Sequence, residues 1–134
     1  MSKSLYQFKF EPENKQVVES ILNNAIAEEK YKKNEKTNTF TYGNGWLTGK
    51  RRIEYRISDG VLSICIWKVV APILPMIEMG CCDAKSTYGV ILNEGMKSTI
   101  KKITHKINES CSLTPMVICE TVSDDYFNRI KQDI

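Results

Sequence analysis

Cysteine and histidine are the residues of this chain whose types and positions most suggest covalent chemistry. Cys81 and Cys82 are adjacent in a segment with neither helical nor strand periodicity, and His105 is the only histidine. A loop thiol becomes a nucleophile when a nearby base lowers its pKa, so these three residues are the candidate catalytic set. His105 falls on the polar side of a helical pattern, so the loop would have to fold over that side for a thiol to reach it.

Metal binding would use the same residues together with Cys111. Structural zinc sites favour two cysteines separated by two residues, and no such pair occurs in this chain. Gly43 and Gly45 do not make a phosphate-binding loop, because the lysine and the strand-to-helix context of that motif are missing. We therefore predict no metal site and no cofactor.

Basic and aromatic residues are the candidates for binding. The basic residues fall into three groups: Lys30, Lys32, Lys33 and Lys36; Lys50, Arg51, Arg52 and Arg56; and Lys97, Lys101, Lys102 and Lys106. If folding brings two groups together, they form a surface for phosphates on which Trp46 or Tyr42 can stack against a base. The alternative is a set of solvated faces offset by acidic residues, since the net charge is only +3.

We place the binding surface where a turn, a basic strand start and a long connection follow one another. These are the turn at Gly43–Trp46, the start of a strand at Lys50–Arg52, and the loop at Glu78–Gly89. The predicted binding residues are Trp46, Lys50, Arg51, Arg52 and Tyr88. Trp46 is either an exposed anchor for a partner or a cap over the end of the core.

Hydrophobic periodicity predicts the elements that must position these residues. Strands are expected at Leu5–Phe10, Thr39–Tyr42, Arg51–Ser58, Val61–Val70 and Pro115–Thr121. Helices are expected from Pro12 to about Lys30, from Glu94 to about Asn108, and after Ser123, with Asn93 as a helix cap and Ala71–Asn93 irregular. Asp59-Gly60 is the strongest short-range signal for a β-hairpin.

The order of these elements is β-α-β-β-β-α-β-α, which predicts an α+β fold. We expect one antiparallel or mixed sheet of about four to five strands with two long helices packed on one face. The run Val61–Val70 is apolar on both faces, which is typical of a strand that is central or covered on both sides.

The bulk composition is that of one ordinary globular domain, residues 1–134. Five cysteines are an odd number, and the N-terminal MSKSLYQFKF has no apolar core of signal-peptide length, which favours a cytoplasmic protein with reduced thiols. The stretch Val61–Met79 is long and apolar, but Lys68 near its middle favours a buried strand followed by a connection over a membrane span.

Several short motifs are shared with a known domain. They are GNGW at Gly43–Trp46, the strand with Ile53 and Tyr55, IW at Ile66–Trp67, EMG at Glu78–Gly80, and the lysine-rich helix at Lys97–Lys102. With them the chain resembles, over about residues 40–107, an uncharacterised domain of Firmicute bacteria that often follows an N-terminal zinc ribbon. The resemblance implies no activity. The chain departs from that domain in having no zinc ribbon and in the sequence CCDAKSTYGV after Gly80, where a glycine- and phenylalanine-rich turn is expected.

These features predict a bacterial, cytoplasmic protein that binds a partner and does not catalyse a reaction. Its expected role is that of a non-catalytic interaction or regulatory module. Its partner is expected to be another protein or a second copy that meets an exposed sheet edge. Two alternatives stay open. One is nucleic-acid or anionic-lipid binding through the basic groups, and the other is a thiol-dependent enzyme that uses Cys81 or Cys82.

Overall fold

The computed structural model describes residues 2–36, 39–43, 50–70, 77–79, 87–130 and 132, without the side chains of residues 2, 70, 77–79 and 87–94. The strands are β1 (Ser2–Lys9), β2 (Lys32–Asn34), β3 (Thr39–Tyr42), β4 (Lys50–Ser58), β5 (Val61–Val70), β6 (Ile77–Met79) and β7 (Thr114–Ser123). The helices are α1 (Lys15–Glu28), α2 (Thr87–Asn108) and α3 (Asp124–Asn128), and a 3₁₀ turn at Pro12–Asn14 leads into α1.

The strands form one antiparallel sheet. Six of them lie in the order β2-β3-β4-β5-β1-β7, and β6 pairs with the last residues of β5. The α+β class is confirmed, whereas the expected four to five strands were too few in the described part of the chain. The reason is length: β2 and β6 have three residues each, too few to show a periodicity in the sequence.

The hairpin predicted at Asp59-Gly60 joins β4 to β5 at the centre of the sheet. Asp59 and Gly60 have φ values of 52° and 76°, the left-handed conformation that a two-residue type I′ turn requires at both positions. Gly60 also provides space, since an added Cβ would lie 2.8 Å from the carbonyl oxygen of Phe10. The N–H of Phe10 donates to the Gly60 carbonyl at 2.8 Å, which ties the end of β1 to the hairpin.

The two long helices pack on one face of the sheet and on each other, as predicted. Their buried apolar stripes are Val18, Leu22, Ala25 and Ile26 of α1 and Met96, Ile100, Ile103 and Ile107 of α2. They cover the alternate residues of β4 and β5 that point the same way, among them Ile53, Ile57 and Ile64. Within the described residues no helix has both the length and the apolar composition needed to cross a membrane.

The opposite face of the sheet carries a smaller core. It is formed by Leu5, Cys65, Trp67, Val69, Val122 and Phe127. Phe127 comes from α3, whose N-terminus is capped by Ser123: its Oγ accepts a hydrogen bond from the N–H of Tyr126 at 3.2 Å. β5 is therefore central and covered on both faces, which confirms the prediction from its two apolar faces.

The segment predicted to be irregular contains β6 and the first turns of α2. The helix begins at Thr87 and not at Glu94, so Asn93 lies inside it and is not its N-cap. Gly89 lowers helix propensity by about 1 kcal/mol relative to alanine, which made these turns resemble a loop. A helix of 22 residues tolerates that local cost because most of its length carries the apolar stripe that packs on the sheet.

Candidate functional site

Of the residues in the thiol–histidine hypothesis, the structure describes the histidine but not the two thiols. Cys81 and Cys82 lie outside the described residues, so their role stays a prediction. His105 lies on α2 with its side chain 77% exposed, and its Nε2 is 3.2 Å from a carboxylate oxygen of Glu109 one turn further along. The histidine therefore sits on the solvated face that its position in the apolar pattern predicted.

The described cysteines belong to the cores and their margins. Cys65 is fully buried, and burial raises the pKa of its thiol far above the usual value, so the thiol stays protonated at neutral pH. Cys111 is also buried, and Cys119 is half-buried. In the part of the chain that the structure describes, no three cysteine, histidine, aspartate or glutamate side chains are grouped as a metal ion would require.

The three basic residues at the start of β4 point to two different faces. Side chains alternate along a strand, so Arg51 lies on the helix-covered face while Lys50 and Arg52 lie on the other. The register agrees, because Arg52 is directly opposite Trp67 of the smaller core. Trp46 lies outside the described residues. Tyr88 is in the first turn of α2, and its side chain is not described.

One residue from each of the three basic groups of the sequence lines a single cleft: Lys30, Arg51 and Lys102. Arg56 is instead a structural residue: its Nη1 donates hydrogen bonds of 2.7 Å to the carbonyl oxygens of Phe127 and Ile130. Lys102 and Lys106 also form ion pairs with Glu29 and Glu28 of α1. Binding of nucleic acid or anionic lipid through the basic groups stays a prediction.

A polar cleft of about 320 Å³ lies where the end of α1, the start of β4 and the first half of α2 meet. We call it the Arg51 cleft. Its walls include Tyr31, Tyr42, Arg51, Gly95, Thr99 and Lys102. The guanidinium carbon of Arg51 lies 5.2 Å from the centroid of the Tyr42 ring. A Cβ added to Gly95 would be 2.6 Å from Nη2 of Arg51. The missing side chain of Gly95 thus makes room for the guanidinium.

Tyr31 places a buried hydroxyl in the wall of the Arg51 cleft. It follows Lys30, whose φ of 68° ends α1 in the left-handed conformation typical of helix C-termini. Tyr31 is only 5% exposed, and no group meets hydrogen-bond geometry with its hydroxyl. Thr99 and Arg51 nevertheless lie close enough to the oxygen to lower its pKa against the effect of burial. Burial raises the pKa of this hydroxyl, which therefore keeps its proton and can act as a donor.

A second, apolar groove of about 360 Å³ runs between α2 and β7. We call it the α2–β7 groove. Its lining includes Tyr6, Phe8, Lys97, Ile100, Lys101 and Ile118, with no acidic residue among the described residues that line it. Tyr6, Phe8 and Ile100 are buried, whereas Ile118 is 73% exposed and its neighbour Met116 is 53% exposed. The groove therefore continues outward into an exposed apolar rim.

The edge of the sheet beside this groove is irregular. The register of β7 with β1 shifts twice, between Leu5 and Gln7 and between Gln7 and Phe8, and Cys119 has a φ of 58°. Pro115 adds a residue without an N–H. Bulges and prolines on an edge strand hinder pairing with an incoming strand. The opposite edge, β2, is only three residues long and contains two lysines, and both features likewise hinder pairing with an incoming strand.

Sequence reasoning named Lys30, Arg51, Lys102 and Tyr42 as candidates for a phosphate-binding surface, and all four line the Arg51 cleft; it missed Tyr31, Gly95 and Thr99. A signal existed for Gly95, since an isolated glycine in a helical pattern usually has a packing reason. The sequence around Tyr31 indicates only that this residue follows a helix, and does not predict that its hydroxyl lies in a cleft. Ile118 was read as part of a regular strand, and its exposure results from the shifted register of β7, which no periodicity shows.

Comparison of the chain with protein-family models, with curated proteins and with solved structures finds no match in any of the three. The resemblance to the Firmicute domain therefore stays a prediction.

Proposed function

We propose that this protein is a non-catalytic interaction module that binds an acidic, amphipathic helix of a partner protein in the α2–β7 groove. The observation that carries the proposal is the 73% exposure of Ile118 beside an apolar groove. Exposed apolar side chains that continue a groove are typical of protein interaction sites. Complete burial of an isoleucine side chain is worth roughly 2 kcal/mol, which covering this rim would contribute to binding.

The shape of the β7 edge favours a helical occupant over an added strand. Strand addition requires a regular row of N–H and C=O groups, and the register shifts of β7 interrupt that row. A helix that lies in a groove needs only apolar side chains at positions such as i, i+3 and i+7. The groove offers apolar contacts to such a helix and does not require hydrogen bonds between the two backbones.

The charge at the rim favours an acidic occupant. Lys97 and Lys101 line the groove from α2, and carboxylates that flank the apolar anchors of a partner would pair with them. A second copy of this chain is disfavoured at the same place. A two-fold symmetric contact brings the same patch of both copies together, so their lysines would repel each other.

The state of the cysteines supports a reducing compartment for this module. Cys65 and Cys111 are buried free thiols. Free thiols persist where glutathione and thioredoxin keep them reduced, so we infer a cytoplasmic location for the interaction.

The test is selection of binding peptides followed by titration. A phage-displayed library of random peptides is selected on the wild-type protein with counter-selection on Ile118→Asp, and the enriched peptides are then synthesised and titrated by calorimetry. We expect peptides that become helical on binding and carry apolar anchors with flanking Asp or Glu. Their affinity should fall at least roughly tenfold for Ile118→Asp, and for Lys101→Glu it should fall less and in a salt-dependent way.

Val17→Asp is the matched control, because Val17 is 46% exposed on α1 and away from the groove. It should leave the affinity unchanged. The proposal is wrong if no peptide is enriched, or if Val17→Asp weakens binding as much as Ile118→Asp does. A mass of two chains by light scattering that reverts to one chain for Ile118→Asp would mean that the groove serves self-association, and would overturn the choice of partner.

The two other functions considered from the sequence have less support. One residue from each basic group lines the Arg51 cleft, but Arg52 lies on the opposite face of the sheet and Arg56 holds α3. The thiol hypothesis depends on Cys81 and Cys82, which lie outside the described residues, and His105 is exposed on α2.

A further inference from the structure

The Arg51 cleft has a second, independent set of features that point to a ligand. It lies on the other flank of α2 from the α2–β7 groove, since Gly95, Ser98 and Lys102 line the cleft while Lys97 and Lys101 line the groove. A measurement of ligand binding at one of these sites therefore does not test the proposal for the other site.

The guanidinium of Arg51 lies against α2 inside the cleft. It occupies space that any side chain at position 95 would need, with Nη2, Cζ and Nη1 at 2.6, 2.8 and 2.9 Å from the place of a Cβ. The ring of Tyr42 supports it from another side at 5.2 Å. A guanidinium presents several N–H donors in a rigid plane, a geometry that matches the two oxygens of a carboxylate or phosphate.

Tyr31 contributes a donor without an acceptor. A buried hydroxyl that makes no hydrogen bond destabilises the folded state, and such groups are rare in folded proteins. The Thr99 hydroxyl donates to the carbonyl of Gly95 at 3.0 Å, and its oxygen does not meet hydrogen-bond geometry as an acceptor for Tyr31. An oxygen bound between Arg51 and Tyr31 would accept a hydrogen bond from each of them.

The charges around the cleft favour an anion on the Arg51 side. Arg51 is directly opposite Lys68 in the β4–β5 register, and Lys68 is only 2% exposed. Lys30 and Lys102 line the cleft together with Arg51, so three cations surround it. The carboxylates that also line the cleft, Glu28 and Glu29, are paired with Lys106 and Lys102.

We propose that the Arg51 cleft binds the oxyanion group of a small molecule, a carboxylate or a phosphate, between the guanidinium of Arg51 and the hydroxyl of Tyr31. Gly95 is part of the site, because it allows the guanidinium to lie against α2. The volume of about 320 Å³ is within the range of small-molecule sites.

Amide NMR spectra test this inference, with sodium phosphate and sodium malonate as separate probes at constant ionic strength set by sodium chloride. We expect saturable shifts of amides between Gly95 and Lys102 with at least one probe. Binding should be roughly tenfold weaker for Arg51→Gln and for Gly95→Ala, and moderately weaker for Tyr31→Phe. Gly95→Ala is the sharpest variant, because alanine raises helix propensity while its methyl group displaces the guanidinium.

Lys9→Gln is the control for loss of one positive charge, since Lys9 is exposed and lines neither the cleft nor the groove. It should leave binding unchanged. Saturation by phosphate alone identifies a phosphate ligand, and saturation by malonate alone identifies a carboxylate ligand. No saturable shift with either probe, or equal weakening by Lys9→Gln and Arg51→Gln, would overturn the proposal.

Discussion

Arg56 on β4 and Phe127 on α3 are 71 residues apart in the chain, yet the guanidinium carbon of Arg56 lies 4.5 Å from the centroid of the Phe127 ring. The Nη1 of Arg56 also donates hydrogen bonds of 2.7 Å to the carbonyl oxygens of Phe127 and Ile130. The last carbonyls of a helix lack intrahelical partners, and positive charge is favourable there. The Phe127 carbonyl accepts from the N–H of Ile130 at 3.0 Å as well as from Arg56. Arg56 therefore joins α3 to the sheet.

Arg56→Met should destabilise the protein by roughly 2 kcal/mol, because it leaves two partly buried carbonyl groups without a charged donor. Arg56→Lys should recover only part of that loss, since an ammonium lacks the planar fork. Urea denaturation measures both effects. Arg129→Met is the control, because Arg129 is exposed. The free energy of unfolding of this variant should differ from that of wild type by no more than about 0.5 kcal/mol. Equal losses for the two methionine variants would contradict the role of Arg56.

Tyr55 should make stability depend on alkaline pH. Its hydroxyl lies 3.2 Å from oxygens of Glu19 and Asn23, and burial raises the pKa of Tyr55 to about 12. Because the folded-state pKa exceeds that of the unfolded chain, this contribution is complete below about pH 10 and is lost as the pH rises towards 12.

The free energy of unfolding should therefore fall by roughly 2 kcal/mol through Tyr55 over that range. Urea titrations of wild type and Tyr55→Phe across it should give a shallower pH dependence for the variant. Parallel pH profiles of the two proteins would show that Tyr55 does not titrate as described.

Gly60→Ala should destabilise the central hairpin by roughly 2 kcal/mol. Alanine is strained at a φ of 76°, and its Cβ would lie 2.8 Å from the backbone oxygen of Phe10, whose N–H is hydrogen-bonded to the Gly60 carbonyl and holds it against the hairpin. Asp59→Asn is the control, because asparagine tolerates left-handed φ as well as aspartate does. Thermal unfolding of both variants measures the difference, and similar melting temperatures would contradict the steric explanation.

The described cysteines should differ in reactivity in the native protein. Cys65 and Cys111 are buried, and burial raises the pKa of the Cys65 thiol, so neither should react with iodoacetamide until the protein unfolds. Half-buried Cys119 should react first among these three. Peptide mapping by mass spectrometry gives the order. The same experiment tests the thiol hypothesis, which predicts fast labelling of Cys81 or Cys82; early labelling of Cys65 would contradict its burial.

Much of the fold was predictable because it depends on consecutive residues. Alternation in β4 and β5, the Asp59-Gly60 turn and the apolar stripes of α1 and α2 each follow from a local period of the backbone. Even the central place of β5 could be inferred, since a strand that is apolar on both faces has to be covered on both. The sequence by itself therefore determined the class of the fold, most of its elements and the two-sided burial of β5.

Only the tertiary structure decided which side chains meet. Tyr31, Arg51 and Gly95 converge because antiparallel pairing and helix packing bring three distant segments together, and no local period encodes that meeting. The register shifts of β7 likewise expose Ile118, and they arise from pairing with β1. Arg56 was grouped with binding residues by its charge, whereas its contacts make it structural. Periodicity is a property of one segment, but a site is a property of segments packed against one another.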